Sequence, residues 1–217
     1  MAESKTFKIG IIIGSTRVVR VGPQVAKFIL DTVQTGGPSE SSSADTTLKS
    51  RTTVDIIDIK DFNLPIFDEP GIPNRIKSPE AYQHEHTRVW GRHIASYDAF
   101  VFLSAQRNWG IPAELKNAID YLFHEWKGKP AMIITFGGHG GLQCAEQLRT
   151  VIGAIGMRVV ERMVNMKFPS FEYLDKGFKG EDLGLDVRND EGPWAEHREA
   201  IAEVFWDEMV SKMLVVV

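Results

Sequence analysis

Three short segments carry the residue types whose spacing suits chemistry. Gly14-Ser15-Thr16-Arg17-Val18-Val19-Arg20-Val21-Gly22 follows an apolar run and leads into a helical pattern containing Gln24. A helix start leaves backbone N–H groups unpaired, and its dipole favours an anion there. Ser15 and Thr16 add hydroxyl donors, and Arg17 adds a planar fork that grips phosphate through charge-assisted bonds. Such a set suits a terminal phosphate dianion. A dinucleotide fingerprint needs G-x-G-x-x-G and an acidic residue about 20 residues on, and a Walker loop needs Lys before Ser or Thr after its last glycine. The glycine spacing matches neither, and Gly22 is followed by Pro23-Gln24.

The second segment is Ser104-Ala105-Gln106-Arg107-Asn108-Trp109-Gly110, and the third is Gly137-Gly138-His139-Gly140-Gly141. Glycines on both sides of His139 let backbone approach a flat ligand closely and hydrogen-bond its edge. His139 has two readings, a proton or hydrogen-bond donor to such a ligand or a solvent-facing ring. Cys144 lies in the first turn after that loop, where a helix dipole can lower a thiol pKa. The smaller claim, a buried hydrophobe, is preferred. His84-Glu85-His86 is read as a solvated helix face and not a metal site, because residues two apart diverge around a helix. Trp90, Trp126, Trp194 and Trp206 fall in helical patterns and are read as packing residues, whereas Trp109 lies in a ligand loop.

These segments sit where strands hand over to helices. Phe7 to Ile13 is an almost continuous β-branched apolar run, the pattern of a strand buried on both faces. Further strands are predicted over Thr53 to Ile59, Ala99 to Leu103, Ala131 to Phe136 and Met157 to Met163. Helices are predicted over Val21 to Val33, Pro79 to Ser96, Ile111 to Trp126, Leu142 to Ile155 and, closing the chain, Pro193 to Leu214. Alternation of this kind specifies a parallel sheet covered on both faces, and ligands then bind beyond the carboxyl ends of the strands. Residues 39–51 are rich in Ser and Thr without periodicity and read as an exposed insertion. The stretch from Glu172 to Glu191 likewise has no regular period.

With 217 residues and 43% hydrophobic content, the chain is read as a single domain spanning residues 1–217. A formal net charge of -4 gives no overall basic surface for nucleic acid. No apolar run approaches the roughly 18–20 residues of a membrane span, and residues 1–8 lack a signal core, so a cytoplasmic location is expected. One cysteine excludes an intrachain disulfide and a single-chain Cys-ligated iron–sulfur cluster, so redox chemistry would need an organic cofactor.

Taken in order, the Gly14-Ser15-Thr16-Arg17 loop, the segment from Asn108-Trp109-Gly110-Ile111-Pro112 to Asp120 and the Gly137 to Gly141 loop resemble the NAD(P)H-dependent FMN reductase and quinone reductase family. The likeness runs from about Lys8 to about Val160. It implies an α/β, flavodoxin-like, doubly wound five-stranded parallel sheet in the order 2-1-3-4-5 with helices on both faces, and a homodimer with FMN near the interface. By that resemblance Ser15, Thr16, Arg17, Arg20, Gly22 and Gln24 hold the FMN phosphate. Gln106, Arg107, Asn108 and Trp109 would line the ribityl chain and ring, and Gly137, Gly138, His139 and Gly140 would face the pyrimidine end. The family pattern has a proline at position 105 and a tyrosine at position 107, where this chain has Ala105 and Arg107. Arg107 then either lies near the ring or points to solvent. Residues 168–217 form a C-terminal extension to the pattern.

The resemblance implies an oxidoreductase that takes hydride from NADPH or NADH and reduces a quinone-like small acceptor in a ping-pong cycle. Flavin carries the chemistry, so no nucleophile or acid–base pair is required. A different reading is a flavin-dependent redox sensor or partner-binding protein with little turnover. A cofactor-free hydrolase lacks a G-x-S-x-G elbow.

Overall fold

The computed structural model describes residues 6–36 and 46–214. Strand β1 (Phe7–Ile13) leads through the first loop to α1 (Gly22–Thr35), and a short helix α2 (Thr46–Ser50) precedes β2 (Thr52–Asp58). Then come α3 (Glu85–Ala95), β3 (Ala99–Ala105), α4 (Ala113–Asp120), β4 (Pro130–Gly137), α5 (Leu142–Ala154), β5 (Arg158–Val159) and β6 (Val164–Lys167). Helix α6 (Phe171–Lys179) follows, and the chain closes with α7 (Arg198–Glu203), a π-helical segment Val204–Val210 and α8 (Ser211–Leu214).

All strand pairings are parallel, in the order β2-β1-β3-β4-β5. This is the flavodoxin-like order the resemblance implies. β6 also pairs with β4, further along it than β5 does. One strand was expected over Met157 to Met163; it is broken instead. Near the break Arg162 points outward, bonding Glu203 and Glu208 at 2.9 Å each.

Apolar side chains on the two faces of the sheet enter two cores. Ile9, Ile11 and Val101 join Val25, Ile29, Val204 and Phe205 on one side. Ile12, Phe100 and Phe102 join Trp90, Ile119, Leu148 and Trp126 on the other. Buried strands of β-branched and aromatic residues therefore fix the register on both faces.

Several boundaries differ from the sequence pattern for identifiable reasons. α3 starts at Glu85, not Pro79, because the carboxylate of Glu69 caps it from a preceding loop. Glu69 is 5% exposed, and it accepts from the amides of Gln83 and His84 and from Thr87 Oγ1. An acceptor at this end satisfies free N–H groups and suits the dipole. α4 stops at Asp120, and carbonyls near its end are taken by indoles: Trp90 donates to Ala118 at 2.9 Å and Trp126 to Ile119 at 3.2 Å. The closing helix is divided into α7, a π-helical turn and α8, turning Phe205, Trp206 and Met209 inward. Of the expected exposed insertion, residues 39–45 lie outside the described residues, while Leu48 in α2 is buried. The stretch read as aperiodic holds α6, begun by Ser170, which accepts from the Tyr173 amide, and ended by Gly180 at φ 70°. All four packing tryptophans are buried, although Trp126 and Trp194 lie in turns. His84 precedes α3, so its ring does not diverge from that of His86. The two stack, with centroids 5.1 Å apart, beside Asp68.

Candidate functional site

The carboxyl ends of β1, β3 and β4 open together into one cleft. At the end of β1, the Gly14 amide donates to the Leu103 carbonyl at 2.8 Å. A Cβ there would sit 2.7 Å from Leu115 Cδ2 and 3.1 Å from the Leu103 carbonyl oxygen, so glycine lets the loop leave close to α4 without displacing either. Beyond it Ser15 is gripped by two arginines. Arg20 donates to the Ser15 carbonyl and forms a two-pronged ion pair with Asp58 at the end of β2. Arg107 Nη2 donates to Ser15 Oγ at 2.7 Å, and its Nη1 lies 2.8 Å from Glu114 Oε1. Glu114 also accepts from the Thr16 amide at 3.1 Å. Arg107 therefore does not point to solvent, and it lies against the first loop.

Two arginines are thus neutralised by carboxylates. Arg17 lines the cleft, and among the described residues it has no ion-pair partner. α1 begins beside it without a side-chain cap, with Val21 and Gly22 in the cleft wall. Free N–H groups, a hydroxyl and an unpaired guanidinium converge, which is a set of donors for an anion.

The β3 loop makes a tight hairpin. Arg107 and Gly110 exchange backbone bonds of 3.1 and 2.8 Å. Between them Asn108 and Trp109 have φ of 44° and 64°, the positive values of a type I′ turn. Gln106 lines the cleft while its Oε1 accepts from the Cys144 amide at 3.2 Å. The Cys144 thiol is buried beneath this corner. Burial pushes it up, and a hydrogen bond with Ser104 only partly opposes that.

The glycine loop after β4 is held from behind. Thr135 Oγ1 donates to the Gly140 carbonyl at 2.8 Å and accepts from Asn165 Nδ2 at 2.6 Å. A Cβ on Gly141, whose φ is 84°, would meet Thr135 Cβ at 2.8 Å. A Cβ on Gly137 would meet nothing within 4 Å, so this backbone borders open space.

The remaining wall comes from residues not predicted for the site. Phe168 and, on α6, Leu174, Gly177 and Phe178 complete a cleft of about 360 Å³ with Phe136. The C-terminal extension therefore builds part of the site. The signals for it were the Ser170 cap, the Gly180 stop and the apolar spacing Phe171, Leu174, Phe178.

Of the predicted residues, Ser15, Arg17, Arg20, Gly22, Gln106, Arg107, Gly137, Gly138 and His139 meet in this cleft. Five others do not line it. Thr16 faces Glu114 and a separate depression near Ile59. Gln24 is occupied with the C-terminal segment, donating to the Glu181 carbonyl and accepting from the Leu183 amide, both at 3.0 Å. Gly140 backs onto Asn165. Asn108 and Trp109 form the hairpin tip, where Trp109 is 62% exposed and stacks on His139 at the rim.

Comparison with known proteins supplies the decisive observation. The family model described as NADPH-dependent FMN reductase matches residues 7–168. The chain belongs to this family. It is 39% identical over 156 residues to the NAD(P)H-dependent FMN reductase LOT6 of Saccharomyces cerevisiae, covering 71% of this chain and 78% of that relative. The NAD(P)H-dependent FMN reductase of Schizosaccharomyces pombe is 41% identical over 164 residues, covering 76% of this chain and 74% of its own. Among solved structures, the flavoenzyme NAD(P)H:(acceptor) oxidoreductase FerB of Paracoccus denitrificans aligns with a TM-score of 0.65 at 18% identity, over 96% of this chain and 99% of that one. At that identity the likeness concerns the fold.

The protein is thus a flavin-dependent oxidoreductase with FMN as cofactor and NAD(P)H as donor. The cleft fits that cofactor. Its anion-binding end suits one terminal phosphate, and its apolar walls with open glycine backbone suit a flat ring. Among the described residues no helix is long and apolar enough to cross a membrane.

Proposed function

We propose that FMN occupies this cleft. Ser15, Arg17 and the amides at the start of α1 hold its phosphate, while Gln106, Gly137, Gly138 and His139 border its ring. The carrying observation is the polarity gradient of the cleft, from Arg17, which has no ion-pair partner among the described residues, and the uncapped start of α1 to Phe136, Phe168 and Leu174. Bound FMN supplies hydride acceptance from a nicotinamide and onward delivery of electrons. The chain's own residues bind, orient and exclude water. The apolar α6 wall limits solvent on one side, and the glycine loop presents backbone donors without side-chain bulk.

The acceptor in this reading is a quinone or similar flat molecule, admitted where Trp109, His139 and Phe178 offer aromatic surface. Donor and acceptor use that opening in turn, which is ping-pong kinetics. Support for a homodimer comes from exposed apolar side chains, including Ile66, Phe67 and Ile72. Steady-state oxidation of NADPH and NADH against a quinone series tests the catalytic reading. Parallel double-reciprocal lines are expected, and intersecting lines would overturn the ping-pong cycle. Negligible turnover with every acceptor, together with redox-dependent capture of a protein partner, would favour the sensor reading instead.

A further inference from the structure

Arg107 stands where the family pattern has a tyrosine, and the structure gives it a geometry that a tyrosine could not reproduce. Its guanidinium bridges two elements of the site. Nη2 donates to Ser15 Oγ at 2.7 Å, and Nη1 contacts both oxygens of Glu114, at 2.8 and 3.1 Å. The Glu114 carboxylate in turn takes the Thr16 amide. Hairpin, α4 and first loop are thereby joined through one ion pair, with the Arg107 side chain 33% and the Glu114 side chain 19% exposed.

We propose that Arg107 is a positioning residue that aims the Ser15 hydroxyl at the FMN phosphate, a step that rests on the phosphate site proposed above. A serine hydroxyl has one hydrogen to donate and two lone pairs to accept with. With a lone pair taken by Arg107, the Ser15 oxygen is fixed and its single hydrogen remains available to an anion in the cleft. Arg20, paired to Asp58, holds the Ser15 carbonyl from the other side, so the residue is clamped at both its backbone and its side chain. Glu114 matters for the division of labour. It neutralises Arg107, so the charge facing the phosphate comes from Arg17, and Arg107 acts through Ser15. Arg107 therefore contributes to discrimination between flavins with and without a phosphate.

The test is a double-mutant cycle on flavin affinity, read by flavin fluorescence quenching with FMN and with riboflavin, beside thermal unfolding of the flavin-free protein. In the parent protein FMN must bind more tightly than riboflavin. If it does not, the phosphate site itself is wrong, and this inference falls with it. Given that preference, Arg107→Met is expected to weaken FMN about tenfold, the equivalent of one charge-assisted hydrogen bond. Riboflavin affinity should stay within about twofold. In a Ser15→Ala background the same change should cost little more, because non-additivity is the mark of residues that act as a unit. Additive losses would make Arg107 a direct phosphate ligand, and an unchanged FMN to riboflavin ratio would leave it a scaffold residue. Either result overturns the proposal. Should Arg107→Met not fold, Arg107→Lys keeps the charge but cannot fork between Ser15 and Glu114. The same selective loss is expected from it, and an unchanged ratio overturns the inference.

Discussion

The Trp109 indole and the His139 imidazole lie nearly parallel, their centroids 5.8 Å apart and their planes inclined by 12°. The stack joins the hairpin after β3 to the glycine loop after β4. Trp109 holds this place with φ at 64°, a region that costs a non-glycine residue about 1–2 kcal/mol. Trp109→Gly is therefore expected to keep or raise stability, by up to about 1 kcal/mol after loss of the stack, while weakening FMN and riboflavin alike. Chemical denaturation and flavin titration check both halves. A less stable protein would show that the tip carries no strain, and a loss confined to FMN would move Trp109 to the phosphate.

Arg17 is the test of the anion end. It lines the cleft without an ion-pair partner among the described residues, so its removal frees no carboxylate. Arg17→Ala should weaken FMN by about 1.5–3 kcal/mol, the worth of a hydrogen bond to a charged group, with riboflavin little changed. Equal losses for the two flavins in parallel titrations would remove Arg17 from the phosphate site.

Gln24 should behave in the opposite way. Its amide closes two hydrogen bonds to the segment after α6, where Leu183 is buried. Gln24→Ala is expected to cost about 1–2 kcal/mol of stability, through the unpaired Leu183 amide and the lost contact. The ratio of FMN to riboflavin affinity should not move. A selective loss of FMN would restore the phosphate role that the resemblance implies for Gln24.

Cys144 sits behind Gln106, and burial holds its thiol above the ordinary range despite the Ser104 contact. The thiolate is the reactive form, so native protein should resist iodoacetamide at neutral pH and react once unfolded. Modification of native protein at a free-thiol rate, measured by mass spectrometry, would show that this corner opens.

β1, β3 and β4 were legible because each is a short, nearly continuous apolar run, and the three loops because each breaks such a run with glycine and polar residues. β5 and β6, by contrast, are too short and mixed to show that they are two strands. The anion set at Ser15 and Arg17 could be read locally, since it depends on a helix start a few residues away. Roles decided by distant partners could not. Nothing near Arg20 in sequence announces Asp58, and nothing near Arg107 announces Ser15, 92 positions earlier. The start of α3 is set by Glu69, and the end of α4 falls where two indoles take its carbonyls. α6 is a different case: its cap, its stop and the apolar spacing of Phe171, Leu174 and Phe178 were all present, but nine residues hold only these three points of a helical period.

The placement of α6 over the cleft makes a prediction whose sign is decided by one contact. Gly177 lies within α6, and a Cβ added to it would sit 2.8 Å from Phe168 Cζ and 3.3 Å from Phe168 Cε1. Phe168 has little freedom to retreat, because its ring packs on Trp194 with centroids 5.1 Å apart and on Phe136 at 6.3 Å. In a helix that stood free of the sheet, Gly→Ala would stabilise by about 1 kcal/mol through propensity alone. Overpacking a filled contact costs about 1–3 kcal/mol, so here the clash should exceed the gain. Gly177→Ala is accordingly expected to lower stability, by about 1 kcal/mol, with an unchanged m-value in urea. Because Phe168 and Gly177 both line the cleft, flavin affinity should fall as well, for riboflavin as much as for FMN. If the variant is instead more stable and binds flavin as the parent does, then Phe168 and α6 are not in contact in solution, and the apolar wall assigned to the flavin site is absent.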